Sequence, residues 1–189
     1  MDKRAVVGPV AVGPLGLEGD EVSNRRHHGG PDKAVYAFAR EDLDRWQDLL
    51  GTVLPDGHFG ENLTVSGVDV NGAELGERWR VGSAILEVAS VRTPCATFRA
   101  WMGRTTSSSR GWVKRFVSDA RPGPYLRVLE PGEVRAGDPV DVLWRPGHGV
   151  SVSDLFRALH GDAAQLARLV DVPEVPDQAR ALARRAARG

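Results

Sequence analysis

Up to about residue 147 the chain runs in short β-type segments between glycine- and proline-rich turns, with no regular helical crossover joining them. Gly82 to Val91 (GSAILEVASV) is a largely apolar run of the kind a well-buried strand shows. Asn62 to Val65, Arg78 to Val81, Tyr125 to Leu129 and Pro139 to Trp144 are shorter strand candidates, and Asn71-Gly72, Pro131-Gly132 and Gly137-Asp138 supply turns. Strands at this spacing without crossover helices argue for a mainly β, barrel-like or sandwich-like body rather than a doubly wound sheet.

Two helices are predicted inside that body. Lys33 to Leu50 (KAVYAFAREDLDRWQDLL) places Val35, Phe38, Ala39, Leu43, Trp46 and Leu50 on roughly one face, with Gly51 as a stop. A second begins in Thr93 to Met102, because Pro94 is tolerated in a first turn. Arg104 to Arg110 (RTTSSSR) reads as a loop or lid. Beyond Pro146-Gly147 the pattern turns helical in three pieces: Asp154 to His160 capped by Ser153, Ala163 to Val170 capped by Asp162, and Asp177 to Ala187 after Pro176. The expected division is residues 1–147 as the β domain and 148–189 as a small three-helix module, which must pack to be stable.

Composition narrows the partners. In 189 residues, 25 Lys plus Arg balance 25 Asp plus Glu, so no net charge draws the protein to nucleic acid or an anionic membrane. The Ala- and Arg-rich last helix reads as a solvated face rather than a nucleic-acid contact. No apolar run spans a bilayer, and the opening MDKRAVV is not followed by a leader-like apolar stretch, so a cytoplasmic protein is expected. A homodimer stays open.

Four clusters carry chemistry. In Gly16 to Val35, Arg25, Arg26, His27, His28, Gly29, Gly30 and Lys33 could cradle an anion, although the spacings of a phosphate-binding P-loop are absent, and a tight basic turn fits equally well. In GHFGENLTV, Asn62 can read a heterocycle edge and Glu61 can orient a base or an arginine, while the plainer reading is a capped turn. The third is SVRTPCATF, with the single cysteine of the chain. A lone Cys is usually an inert small hydrophobe. Cys95, however, follows a strand and Pro94, has Arg92 nearby, and would lie near a helix N-terminus, where a thiolate is favoured. The fourth, PGPYLRVLEPGEVRAGD, is architectural apart from Arg127, which could reach inward.

In this order the segments GLEGD with HHGGPDKAVYAF, FGENL, LGERWRVGSAILEVASVRTPC and GPYLRVLEPGEVRAGDPVDVLWRP resemble the MOSC domain, the molybdenum cofactor sulfurase C-terminal domain, and within it the YiiM-like proteins. The resemblance runs from about Gly16 to Arg145, and RPGHGVSVSDLF is similar to the entry into the three-helix module of those proteins. It implies a β-barrel-like domain with peripheral helices that binds the molybdenum cofactor, with Cys95 as the protein ligand to molybdenum. Arg25, His28, Gly29, Lys33, Asn62, Arg92 and Thr97 become candidates for holding the pterin and its phosphate. The implied activity is reduction of N-hydroxylated compounds, such as hydroxylaminopurine-type base analogues and amidoximes, with His28 and Glu61 as proton carriers. One cysteine cannot hold an iron–sulfur cluster, so electrons would come from a separate reductase. Two rivals stand beside this: a carrier of the cofactor, or of sulfur on Cys95, and a zinc or cysteine hydrolase built from Cys95 with His27, His28 or His58.

Overall fold

A computed structural model describes residues 2–20, 29–106 and 110–188. Within them nine strands and six α-helices form. The strands are β1 (Val10–Gly13), β2 (Gly16–Leu17), β3 (Val35–Ala39), β4 (Leu63–Val65), β5 (Arg78–Val81), β6 (Ala84–Val91), β7 (Pro124–Glu130), β8 (Gly132–Val134) and β9 (Val140–Trp144). The helices are α1 (Arg40–Leu50), α2 (Ala96–Thr105), α3 (Trp112–Asp119), α4 (Val152–Leu159), α5 (Ala163–Arg168) and α6 (Asp177–Ala186). One sheet has the order β2-β1-β8 and the other β4-β3-β7-β6-β5-β9, antiparallel except for β3 with β4. The chain is therefore mainly β with peripheral helices, as its turn-punctuated sequence suggests.

The predicted helix over Lys33 to Leu50 is corrected. Its first half is strand β3, all five of whose residues are buried, and only Arg40–Leu50 is helical. A surface helix buries one stripe, whereas VYAFA is covered on both faces and hydrogen-bonded between β4 and β7, so pairing overrides the helical preference of its alanines. The helix does stop at Gly51, which takes the left-handed conformation expected of a C-terminal glycine. The cap of α4 also differs: Ser151, not Ser153, accepts from the Asp154 N–H, and the Asp154 carboxylate accepts from the Ser151 N–H in a capping box. Ser153 instead donates its hydroxyl to Ala120 O at 2.7 Å. Strands β1, β2 and β8 and helix α3 have no counterpart among the elements expected from sequence, and Gly132, expected in a turn, opens β8.

Aromatic rings knit the helices to the sheet. Trp46 of α1, Phe59, Phe98 of α2, and Trp112 and Phe116 of α3 are all fully buried. Trp46 and Trp112 lie 4.6 Å apart between centroids, and Phe98 meets both Trp112 and Phe116 edge-on. Phe116 also meets Phe156 of α4 at 5.8 Å, and Val152 N–H donates to Ala73 O at 2.9 Å. The change in sequence character at residue 147 thus falls in the connection between β9 and α4, and the helices after it share the core of the β body.

Asp42 is a buried polar hub beneath this layer. It accepts from Arg121 at 2.6 Å, from Arg45 at 3.1 Å and from the Asn71 amide at 2.7 Å. Asn71 in turn accepts from Gly123 N–H at 3.0 Å. Gly123 is obligatory: its φ is 72°, and a Cβ there would stand 2.3 Å from Ala37 O. The network holds the start of β7 against the end of β6. Because Phe116 contacts Trp46, Phe59, Phe98, Trp112 and Phe156, Phe116→Ala is expected to cost about 3–5 kcal/mol of unfolding free energy. Leu49→Ala, at a site 56% exposed, should stay within about 0.5 kcal/mol; urea titrations of both variants check the contrast.

Candidate functional site

Sheet register assembles the site. Tyr36 of β3 pairs with Tyr125 of β7, and Tyr125 pairs with Ser90 of β6. Asn62, just before β4, donates its backbone N–H to Tyr36 O at 2.8 Å, and Arg92 follows the last residue of β6. Asn62, Tyr36 and Tyr125 therefore lie side by side across the sheet, and Arg92, two residues beyond Ser90, reaches Tyr125 through its side chain.

Arg92 is 8% exposed, and a buried guanidinium needs partners. Its Nη1 donates to Tyr125 Oη at 2.8 Å, and its Cζ lies 5.4 Å from the Tyr36 ring and 5.1 Å from the Phe98 ring. Burial works against the charge, but Tyr125, Tyr36 and Cys95 around it hold its pKa above the ordinary value. Tyr36 is pushed well above the usual phenol range by burial, so it stays a neutral donor to Pro122 O at 2.7 Å.

Thr93-Pro94 ends β6, and the chain turns directly into α2. Pro94 removes a ladder donor there, and Cys95 becomes the N-cap in extended conformation. Its Sγ accepts from Phe98 N–H at 3.4 Å, as a capping side chain does, and the residue is half-buried. The same Phe98 lies under Arg92 and donates to the sulfur, so cation, ring and thiol are one unit. Thr97 is exposed in the first turn of α2. A partly accessible sulfur at the start of a helix is of the chemical type that can bind a soft metal.

The other candidates divide around this unit. Asn62 has its carbonyl taken by Tyr36 N–H at 2.9 Å and one amide N–H by Asp20 at 2.7 Å, so it anchors β3 to the segment before residue 21. Lys33 closes the 3-10 turn Pro31–Lys33 at the entry to β3, three residues ahead of Tyr36, and Gly29 leads into that turn. Arg25 and His28, with Arg26 and His27, lie outside the described residues. Glu61 is 2% exposed and accepts from Gly57 N–H at 2.8 Å, Phe59 N–H at 2.9 Å and Thr64 hydroxyl at 3.0 Å. Its oxygens thus organise the turn. His58 bonds Thr105 at 3.2 Å, and its carbonyl accepts from Trp101 Nε1. Thr105 lies ten residues along α2 from Cys95, about 15 Å at the α-helical rise, so His58 is not a partner for the thiol. Among the described residues no three His, Cys, Asp or Glu side chains converge as a metal site. Arg127 does not reach inward: it is 40% exposed and pairs with Asp32 and Glu87. Tyr36, Tyr125 and Phe98 carry no signal of their own in the sequence, because only strand register and the turn into α2 bring them to Arg92.

A strand-end cysteine capping a helix within a curled mixed sheet defines a class, and comparison identifies it: the MOSC domain profile matches residues 24–141, more than half of the chain, and the chain belongs to that family. Within it the chain is YiiM-like. It is 32% identical over 164 residues to the uncharacterized protein YflK of Bacillus subtilis, covering 87% of this chain and 72% of that protein. It is 29% identical over 148 residues to protein YiiM of Escherichia coli, covering 76% of this chain and 63% of that one. A Gibberella moniliformis protein named Reductase is 28% identical over 177 residues, which is 89% of this chain but 30% of the fungal protein. The crystal structure of YiiM from Geobacillus stearothermophilus shares the fold with a TM-score of 0.77 at 24% identity, over 96% of this chain and 85% of that one. Among the described residues no helix is long and apolar enough to cross a membrane.

Two outcomes follow. Tyr125→Phe removes the hydrogen bond to a buried cation and is expected to cost about 1.5–3 kcal/mol in urea unfolding. Burial lowers the His58 pKa below its ordinary 6.5, so the unfolded chain binds that proton more tightly than the folded one. The His58 contribution is whole above 6.5 and is lost as pH falls toward the folded value. Glu61 runs the other way: burial raises its pKa above 4.5, so its contribution is present below 4.5 and lost as pH rises through the folded value. Unfolding titrations from about pH 8 to about pH 5 should show wild type losing stability relative to His58→Gln below 6.5.

Proposed function

We propose that this chain binds the molybdenum cofactor with Cys95 as its protein ligand and reduces N-hydroxylated compounds to amines or amidines. The observation that carries the reading is the half-buried Cys95 sulfur at the N-terminus of α2, with the buried Arg92 cation beside it. The donor set fits the group: a single soft thiolate suits a metal whose remaining sulfur ligands arrive with the pterin. When bound, the cofactor supplies the two electrons that cleave the N–O bond of the substrate.

The residues of the chain position and charge the site. Arg92 is proposed to offset the negative charge of the bound thiolate, and the first turn of α2, with the exposed Thr97, to lie against the cofactor. Arg25, His28, Gly29 and Lys33 are proposed to hold the pterin phosphate, and Asn62 keeps one amide N–H for the pterin edge. Of the two proton carriers, His28 is matched to neutral pH, whereas Glu61 is held in its turn by three donors. Electrons are proposed to come from a separate reductase in the cytoplasm. The fungal relative named Reductase supports reductive chemistry as the class of reaction.

The test uses Cys95→Ser, because serine is itself a good N-cap and the exchange isolates the sulfur from the fold. Protein from a host that makes the cofactor is assayed for molybdenum, pterin and reduction of a panel of hydroxylamino and amidoxime compounds. Wild type is expected to hold both and turn over, and Cys95→Ser to fall to background in both molybdenum and activity. A variant with full molybdenum and full reduction refutes the reading, and wild type with cofactor but no turnover across the panel favours the carrier.

A further inference from the structure

The segment around the thiol is cationic and carries no acid. From Val88 to Ser118 the sequence holds six cations, Arg92, Arg99, Arg104, Arg110, Lys114 and Arg115, and no Asp or Glu, in a chain whose charges balance overall. That span contains the turn of Cys95 and helices α2 and α3. Arg99, Arg104, Arg110 and Lys114 are exposed, and none of the four makes an ion pair among the described residues. Arginines of other elements are neutralised where they stand: Arg40, Arg45, Arg78, Arg121, Arg127 and Arg145 each pair with a carboxylate.

The two helices present these charges together. Phe98 of α2 lies 5.4 Å from Trp112 and 5.5 Å from Phe116 of α3, so the helices share one buried seam. On α2 the buried Phe98 and Met102 leave Ala96, Ala100 and Gly103 outward with Arg99 and Arg104. Small side chains there let another protein come close to the sulfur. Arg99 stands one turn past the thiol, its N–H donating to Cys95 O at 2.9 Å, and Arg104 lies in the last turn, its Cζ 6.0 Å from the Trp101 ring. Arg110 leads into α3 and Lys114 lies on it. The cations are spread along two helices rather than converging on a point, which suits the face of another protein better than a small anion.

The occupant follows from the reading of Cys95 as the molybdenum ligand, on which this step rests. Reduction of R–NHOH to R–NH2 and water takes up two electrons and two protons, and one cysteine cannot hold a cluster to store those electrons. Electrons pass between proteins only over short distances, so a donor must meet the face on which the metal ligand is accessible. Because that face is cationic, the complementary donor surface is acidic.

We propose that the exposed side of α2 and the start of α3 form the docking surface for an electron-donor protein with an acidic face. The contact is of the weak electron-transfer kind, which buries less than about 1,200 Å². Salt weakens it, since exposed charges are screened beyond about 10 Å at 0.1 M ionic strength.

The probes are two acidic donors, a flavodoxin and a plant-type ferredoxin, and one small cationic donor, the methyl viologen radical. Nuclear magnetic resonance titration of isotope-labelled protein with each acidic donor at about 20 mM salt should move amide signals of α2 and α3, and about 200 mM salt should weaken binding at least about tenfold. Arg104→Glu with Lys114→Glu should weaken binding at least about tenfold, whereas the equal charge change Arg184→Glu with Arg185→Glu on α6 should leave it within about twofold. In cofactor-loaded protein the first pair should slow reduction driven by the acidic donors at least about tenfold and leave viologen-driven reduction within about twofold. Thermal melts check folding, and Arg110→Glu replaces Arg104→Glu if loss of the Trp101 contact unfolds the protein. Four results would each overturn the proposal: neither acidic donor binding below about 1 mM, signals moving on α6 instead, the reversed pair binding as wild type does, or a duplex oligonucleotide binding these helices more tightly than both donors. Wild type that fails to reduce substrate even with viologen overturns the reading of the activity instead, and the titration still decides the docking face.

Discussion

The buried guanidinium of Arg92 is the constraint on which the site rests. A charge that cannot be neutralised by losing a proton must be met where it lies. Tyr125 meets it with an oxygen, and Tyr36 and Phe98 with ring faces, so one cation ties β3, β7 and α2 together at the end of β6. Behind it, Asp42 and Asn71 hold Gly123, whose carbonyl accepts the Arg92 backbone N–H at 3.3 Å. Moving any of these partners would move the point from which α2 starts, and with it the sulfur.

That dependence separates two ends of α2. At its beginning, a cysteine caps the helix and a cation stands beside it. Toward its end, Trp101 and Thr105 bind His58, in the turn that Glu61 organises from within. His58 and Glu61 at the second end are titratable, yet their bonds are spent on shape. The residues at the first end leave a partly accessible sulfur. The accessible sulfur therefore lies at the N-terminus of α2, while the 57–62 turn supports the other end of the helix.

Much of this arrangement is legible in the sequence where the signal is local. Pro94 marks the end of β6 and the sequence places Cys95 near a helix N-terminus, although Pro94 lies before the cap rather than in the first turn expected for it. Arg78 to Val81 is bounded correctly by its alternation and its neighbouring Gly82. Val35 to Ala39 reads as helix until the sheet is seen, because alanines and aromatics in a short run fit either period until neighbouring strands claim both faces. Glu61 and Asn62 are visible as polar residues in a conspicuous turn, but a carboxylate that waits for substrate and one that accepts three protein donors look the same in a string of letters.

By itself the sequence determined a mainly β body with helices after residue 147, one thiol placed at a strand-to-helix turn, and membership of a recognisable family. These follow from side-chain period, turn residues and order along the chain, which are local or linear properties. The tertiary structure decided that Tyr36 and Tyr125 face Arg92, that Phe98 joins the cation to the sulfur, that His58 stands far from the thiol, and that β9 is left at an edge. Each of these depends on strand register between segments distant in sequence, and register is set by which faces are buried together rather than by any residue alone.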